Sequence, residues 1–144
     1  MEKIRVAVVG TGYLGRQHVR VLSEQPNVEL VGIVDKNPTT AQSVAKEFST
    51  TAYPNHEVLL GKVSAVILAV PTQDHAAIGC DFLNHGTDLL VEKPIAATIE
   101  EAEAMLAVSK ECDKLLMVGY SHRFNPMYRC AHQYIKQGNL GNIY

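Results

Sequence analysis

A doubly wound parallel α/β sheet, with helices layered on both faces, is the fold this sequence predicts. Three observations carry the prediction. Short β-branched runs alternate with helical apolar patterns from end to end, with no repeat or low-complexity stretch. Residues 63–70 are almost wholly apolar, as suits a strand covered on both faces. The chemically informative residues fall just after apolar runs, where parallel sheets bind their ligands. At 144 residues the chain reads as one domain over residues 1–144, long enough to bury a core.

The first strand is carried by Ile4, Val6, Val8 and Val9, and a helical pattern of Leu14, His18, Val21 and Leu22 follows it. Residues 30–34 form the second strand. Asn37-Pro38 then supplies an N-cap and a first-turn proline for a helix with Ala41, Val44, Ala45 and Phe48 on one face. A short strand at residues 52–53, a brief helix over 55–60 and the strand at 63–70 come next. Thr72 is expected to cap a helix running to about Asn84, where Gly86 ends it. Residues 88–92 make the fifth strand. Thr98 and Glu101 have the spacing of a capping box for a helix reaching about Glu111, and residues 115–120 make the sixth strand. Asn125-Pro126 opens a last helix that stops at Gly138; its Cys130, Ala131, Tyr134 and Ile135 have core or interface spacing. Right-handed helical crossovers between six such strands give three layers, α-β-α.

Where the first strand ends, the chain reads Gly10-Thr11-Gly12-Tyr13-Leu14-Gly15. Three glycines at this spacing are a weak signal alone, but here a strand precedes them, a helix follows, and Asp35 ends the next strand twenty positions past Gly15. Together these are the dinucleotide fingerprint of the Rossmann fold. Gly10 allows the tight turn, Gly12 lets a pyrophosphate approach the backbone, and Gly15 lets helix and strand pack closely. The helix N-terminus then holds the phosphates with unpaired N–H groups and the positive end of its dipole. The expected ligand is a nicotinamide dinucleotide. Asp35 can accept from both adenosine ribose hydroxyls and repels a 2′-phosphate, which favours NAD; the neighbouring Lys36 leaves NADP possible.

Glu92-Lys93-Pro94 ends the fifth strand, where a charge is costly without a partner or a task. Two readings stand side by side. Lys93 either projects into the cleft, where an oxidised nicotinamide depresses its pKa and lets it exchange a proton with a substrate hydroxyl, or it is half of a surface Glu-Lys pair.

A formal charge of −2 gives no electrostatic case for nucleic acid or an anionic membrane. No apolar run approaches the length of a membrane span, and no signal peptide is seen, so a cytoplasmic location is expected. Cys80, Cys112 and Cys130 are too widely spaced for a disulfide framework, and no His, Cys or Asp pair has zinc-ligand spacing, so no metal is expected. His18 reads as a packed core histidine. His75 lies in a first helical turn near the cleft, where it can reach the cofactor, and His122 stands beside Arg123 at a strand end. His56, His85 and His132 read as surface or loop residues.

These residues resemble the Gfo/Idh/MocA oxidoreductases, the group of glucose–fructose oxidoreductase, inositol dehydrogenase and the rhizopine-catabolism protein. The resemblance covers the whole chain and rests on the glycine loop with His18, on Val34-Asp35, and on Pro71-Thr72 with His75. It rests most specifically on Val91-Glu92-Lys93-Pro94-Ile95-Ala96 and Gly119-Tyr120-Ser121-His122-Arg123-Phe124-Asn125-Pro126. It implies NAD(P)-dependent oxidation or reduction of a sugar, polyol or nucleotide-sugar hydroxyl. Lys93 would correspond to the catalytic lysine. Glu92, with Pro71, Thr72 and His75, would line the nicotinamide half of the site, and Arg123 and Asn125 would flank the nicotinamide and substrate pocket. Members of the family carry a second α/β domain that supplies most of the substrate pocket, which is expected to be absent here, residues 138–144 resembling the crossing into it. The small-molecule substrate would then belong to the full-length protein, and a homo-oligomer is the expected assembly. A nucleotide-sensing module without chemistry is the rival reading, and Lys93 argues against it, since a sensor needs no lysine in the cleft.

Overall fold

The structure is a computed structural model and describes residues 3–142. Met1 and Glu2, read above as leading into the first strand, and Ile143 and Tyr144, in the segment read as a crossing, lie outside the described residues.

Six parallel strands, β1 (Ile4–Val9), β2 (Val28–Val34), β3 (Ala52–Tyr53), β4 (Ala65–Leu68), β5 (Asp88–Val91) and β6 (Leu116–Val118), form one sheet in the order β3-β2-β1-β4-β5-β6. Helices α1 (Tyr13–Ser23), α2 (Pro38–Glu47), α3 (His75–Asn84), α4 (Ile99–Glu111) and α5 (Pro126–Lys136) connect and follow them. Alternation along each strand divides the core into two layers. Val8, Ile33 and Ile67 point to one face and pack with Val19 of α1 and Val44 and Ala45 of α2. Ala7, Val9, Val34, Val66, Leu68, Leu89 and Val91 point to the other and pack with Phe82 and Leu83 of α3 and Met105 of α4. Phe82 is fully buried there, and truncating a phenylalanine in such a place typically costs about 3–5 kcal/mol.

Three helix starts are capped as their sequences require. The Asn37 side chain accepts from the N–H groups of Thr39 (3.0 Å) and Thr40 (3.3 Å), and Asn125 accepts from that of Met127 (2.9 Å). Thr98 and Glu101 form the reciprocal capping box at 3.2 Å in both directions. Each such cap is worth roughly 1 kcal/mol.

Four expectations change. The buried stripe of α1 is Gly15, Val19 and, partly, Leu22, while Leu14 and Val21 are exposed. Gly15 without a Cβ brings the helix against the sheet, which rotates the buried face away from Leu14. Thr72 does not cap α3; residues Thr72–Asp74 form a single 3₁₀ turn and the α-helix starts at His75. The strand expected over residues 63–70 is hydrogen-bonded as a strand only over Ala65–Leu68. No residue of α5 is buried, so Cys130, Ala131, Tyr134 and Ile135 are not core; the helix packs chiefly on the turn that precedes it.

Candidate cofactor-binding site

The strand order reverses at β1, with β2 and β3 to one side and β4 to β6 to the other. Loops leaving β1 and β4 therefore part and open a crevice at the carboxyl edge of the sheet. That crevice, about 340 Å³, is lined by Gly10, Gly12, Asp35, Lys36, Ala69, Val70 and Pro71. A second hollow of about 270 Å³ shares Asp35 and Lys36 with it and runs toward Tyr53 and Pro54 beyond β3.

Each glycine of the loop has its own geometry. Gly10 has φ +88°, where a side chain is strained, and a Cβ there would overlap the Ala69 carbonyl. A Cβ at Gly15 would collide with the Gly10 carbonyl oxygen. At Gly12 a Cβ would meet no protein atom within 4 Å, so this glycine faces open space. Gly12 is also the N-cap of α1 and no side chain caps the helix, which leaves its first-turn N–H groups for a ligand. An uncapped helix behind an open glycine fits the pyrophosphate of a dinucleotide.

Asp35 is hydrogen-bonded to the segments on either side of it. Its Oδ2 accepts from the Thr11 N–H (2.7 Å) and the Thr11 hydroxyl (2.9 Å), and its Oδ1 accepts from the Asn37 N–H (2.9 Å). Thr11 is 2% exposed, so its side chain faces Asp35 instead of the crevice. Burial by itself raises the Asp35 pKa, but the N–H bonds from Asn37 and Thr11, the Thr11 hydroxyl and the Lys36 charge together outweigh it and hold the carboxyl below its ordinary value. A carboxylate has about four acceptor positions and three are used, so one remains for a ligand hydroxyl.

Glu92 and Lys93 follow β5, and Glu92 N donates to Leu68 O at 2.9 Å, continuing the ladder. The Glu92 carboxylate turns toward α1, where Oε1 is 2.8 Å from His18 Nε2, and its Oε2 accepts from the Lys93 N–H at 3.3 Å. Room for it comes from Gly119, where a Cβ would stand 3.0–3.2 Å from the carboxylate atoms. Lys93 is exposed, and no ion pair among the described residues includes it. The peptide bond between Lys93 and Pro94 is cis.

His75, read as able to reach the cofactor, is turned into the protein. It is 1% exposed, with Nδ1 at 3.0 Å from Pro94 O and 3.3 Å from Ile95 O, and Nε2 at 3.0 Å from Val70 O. Both ring nitrogens are thus turned to backbone carbonyls, and the ring fastens the loop after β4 to the one after β5. Thr72 is half-buried beside it, while Pro71 is exposed on the crevice. Tyr13 and Leu14 are exposed at the start of α1, and Arg123 lies in the turn Ser121–Phe124 after β6.

All these segments follow the carboxyl ends of parallel strands and share one edge. The bonds Thr11–Asp35, His18–Glu92 and His75–Pro94 were not foreseen from sequence; Gly119 directly after a strand was the one local sign of a close approach there. Among the described residues no group of three His, Cys, Asp or Glu side chains could hold a metal ion, and no helix is long and apolar enough to cross a membrane.

The fold and crevice are those of a dinucleotide-binding Rossmann domain. Residues 4–120 match the Gfo/Idh/MocA family, the oxidoreductase family with an NAD-binding Rossmann fold, and the chain belongs to that family. It is 33% identical over 141 residues to UDP-N-acetylglucosamine 3-dehydrogenase of Acidithiobacillus ferrooxidans, covering 98% of this chain and 43% of that protein. It is 32% identical to scyllo-inositol 2-dehydrogenase (NAD(+)) of Bacillus subtilis, covering 96% of this chain and 42% of that protein. The structure superposes with a TM-score of 0.89 on scyllo-inositol dehydrogenase from Lactobacillus casei with bound NAD(H) and scyllo-inositol, at 26% identity, covering 99% of this chain and 43% of that one. The chain therefore spans well under half the length of these relatives.

Proposed function

We propose that this chain is the cofactor half of an oxidoreductase that moves hydride between a nicotinamide cofactor and a hydroxyl or carbonyl of a sugar, polyol or nucleotide sugar. The observation that carries the reading is the shared edge: the Gly12 opening, Asp35 and Lys93 all follow parallel strands on one side of the sheet. The pyrophosphate rests on Gly12 and the N-terminus of α1, beside Thr11, Tyr13 and Leu14. The adenosine ribose takes the remaining acceptor position of Asp35, and its base lies in the hollow toward Tyr53. Pro71, Thr72, Glu92 and Arg123 border the nicotinamide half. When bound, the nicotinamide gives or accepts hydride.

Within that site Lys93 holds or moves the proton of the substrate hydroxyl. Its exposure and its lack of an ion-pair partner among the described residues support this role. Glu92 positions it by bonding its backbone N–H and His18. NAD is preferred over NADP because Asp35, held ionised, repels a 2′-phosphate, and Lys36 moderates the preference. Most of the substrate pocket is supplied by parts of the protein beyond this segment, as the lengths of the relatives suggest; we place the protein in the cytoplasm as a homo-oligomer.

Calorimetric titration of the 144-residue chain tests the reading. NADH is expected to bind more tightly than NADPH, and Asp35→Ala to weaken NADH by about 1–3 kcal/mol while narrowing the difference. Equal or tighter NADPH binding by the unmutated chain would overturn the Asp35 argument and make Lys36 the deciding residue.

A further inference from the structure

We propose that the turn Ser121–Phe124 and the first half of α5 form a phosphate-recognition subsite, which selects a phosphorylated sugar or nucleotide sugar over a neutral polyol. This deepens the reading of the chain as part of a sugar oxidoreductase and rests on it.

A cavity of about 360 Å³ here is lined by His122, Arg123, Tyr128, Arg129 and His132. Four of these five side chains are cations or become so on protonation, and none is acidic. The stretch of chain that carries them adds no carboxylate, since residues 114–144 contain no Asp or Glu but do contain Lys114, Arg123, Arg129 and Lys136. The arginines of this protein divide accordingly. Arg5, Arg16 and Arg20 each pair with a glutamate, Glu29, Glu47 and Glu24 respectively. Among the described residues Arg123 and Arg129 are in no ion pair, and they are the two that share the cavity. Like charges gathered this way repel one another and are stabilised when an anion lies between them.

The cluster is also partly pre-arranged. Arg129 Nε donates to Arg123 O at 3.3 Å, and its guanidinium carbon lies 5.8 Å from the centre of the Phe124 ring, which ties one side of the fork to the turn and leaves its terminal N–H groups over. The His122 and Tyr128 rings lean together with centres 4.9 Å apart and form the adjoining wall. Planar guanidinium forks match phosphate oxygens two at a time. A cavity of this volume accommodates a phosphate with part of a sugar.

Location decides which phosphate. The glycine loop that suits the cofactor pyrophosphate follows β1, whereas this cavity follows β6, at the far end of the order β1-β4-β5-β6. Strand β6 pairs directly with β5, Val118 opposite Val91, and Lys93 comes two residues after Val91. The cavity and Lys93 thus lie on neighbouring loops at one edge, as a substrate's anionic group and its reacting hydroxyl require.

The test uses the ¹⁵N-labelled chain saturated with NADH, so that the glycine loop is filled before any other phosphate is added. Failure to bind NADH in that first step would count against the cofactor reading, separately from the outcome of the phosphate titrations. UDP, glucose 6-phosphate and myo-inositol are then titrated while amide resonances are monitored. Saturable shifts over residues 121–132 are expected with UDP or glucose 6-phosphate and not with myo-inositol. Tighter binding of UDP assigns a nucleotide sugar, and tighter binding of glucose 6-phosphate a sugar phosphate. Arg129→Gln and His132→Gln, both on the exposed helix, are each expected to weaken the phosphate ligand by about tenfold. Shifts that map elsewhere, that appear equally with myo-inositol, or that titrate with undiminished affinity in Arg129→Gln would overturn the proposal.

Discussion

His18 Nε2 on α1 lies 2.8 Å from Glu92 Oε1 at the end of β5, a bond that spans 74 positions of sequence and joins the cofactor helix to the segment bearing Lys93. The Glu92 side chain is only 13% exposed, so a lost partner cannot be fully replaced by water. His18→Leu is expected to destabilise the chain by about 1–3 kcal/mol at neutral pH. His18→Gln, whose amide can donate to the carboxylate, should recover part of that. Urea unfolding of the three proteins measures it; a His18→Leu midpoint equal to the parent's would reduce the pair to a surface contact.

Two glycines of one loop should separate folding from binding. Gly15→Ala forces a methyl into the Gly10 carbonyl, which cannot swing away, so about 1–3 kcal/mol of stability is expected to be lost together with NADH binding. Gly12→Ala puts a methyl where there is no protein atom within 4 Å. Stability should then change by less than about 0.5 kcal/mol, while NADH affinity falls by about tenfold or more because the methyl occupies the pyrophosphate's approach. Thermal melts alongside NADH titrations decide it, and undiminished affinity in Gly12→Ala would remove the phosphates from this loop.

Asp35 makes stability depend on acid pH. Its folded pKa is held below the ordinary 3.8, so the folded state prefers the carboxylate. The resulting stabilisation is present above the unfolded pKa and is lost as pH falls through the folded one. Unfolding measured at about pH 6 and again at about pH 3 should therefore show the gap between the parent and Asp35→Asn shrinking on acidification. A gap that stays constant or widens would mean that the Thr11 and Asn37 bonds do not favour the ionised form.

The apolar runs of β1, β2 and β4, the asparagine caps and the Thr98–Glu101 box were legible because each is a local pattern whose physics closes within a few residues. So were the positions of Gly10, Asp35 and Lys93 on one edge, since parallel strands put every such terminus on the same side. The rotation of α1 was not legible: Leu14 and Val21 are as apolar as Val19, and the face turned inward is the one on which Gly15 packs against Gly10 with no room for a Cβ. The roles of His18, Thr11 and His75 were hidden for a different reason. Each is defined by a partner on another strand end, and spacing along the chain carries no record of which loops meet.

The burial of His75 makes it a positioning residue. His75→Ala would remove the ring whose nitrogens stand 3.0 Å from the carbonyls of Val70 and Pro94, only one of which a neutral imidazole can serve as donor, and would release two loops from each other. A loss of about 1–3 kcal/mol is expected for stability. The more telling comparison is between ligands. Both loops border the nicotinamide half of the proposed site, so NADH affinity should fall more than the affinity for ADP-ribose, which lacks the nicotinamide. Equal losses for the two ligands would indicate general loosening of the fold.

The proton-transfer role proposed for Lys93 needs a test that separates proton transfer from charge. Positioning of the substrate against the nicotinamide supplies much of the rate of hydride transfer, and this chain spans 43% of the UDP-N-acetylglucosamine 3-dehydrogenase it resembles. The 144 residues alone are therefore expected to bind NADH and to turn over sugars or polyols little or not at all. In a protein of the relatives' length carrying this segment, Lys93→Ala should lower turnover by about 10²–10⁴-fold, the usual scale for a lost proton-transfer group. Lys93→Arg keeps the charge but cannot give up its proton near neutral pH, so it should remain as impaired as the alanine variant. Steady-state rates across pH would register the difference, because the limb due to the lysine should disappear in both variants. Activity restored by arginine would show that Lys93 serves only as a fixed positive charge, and brisk turnover by the 144 residues alone would show that the substrate needs no further support.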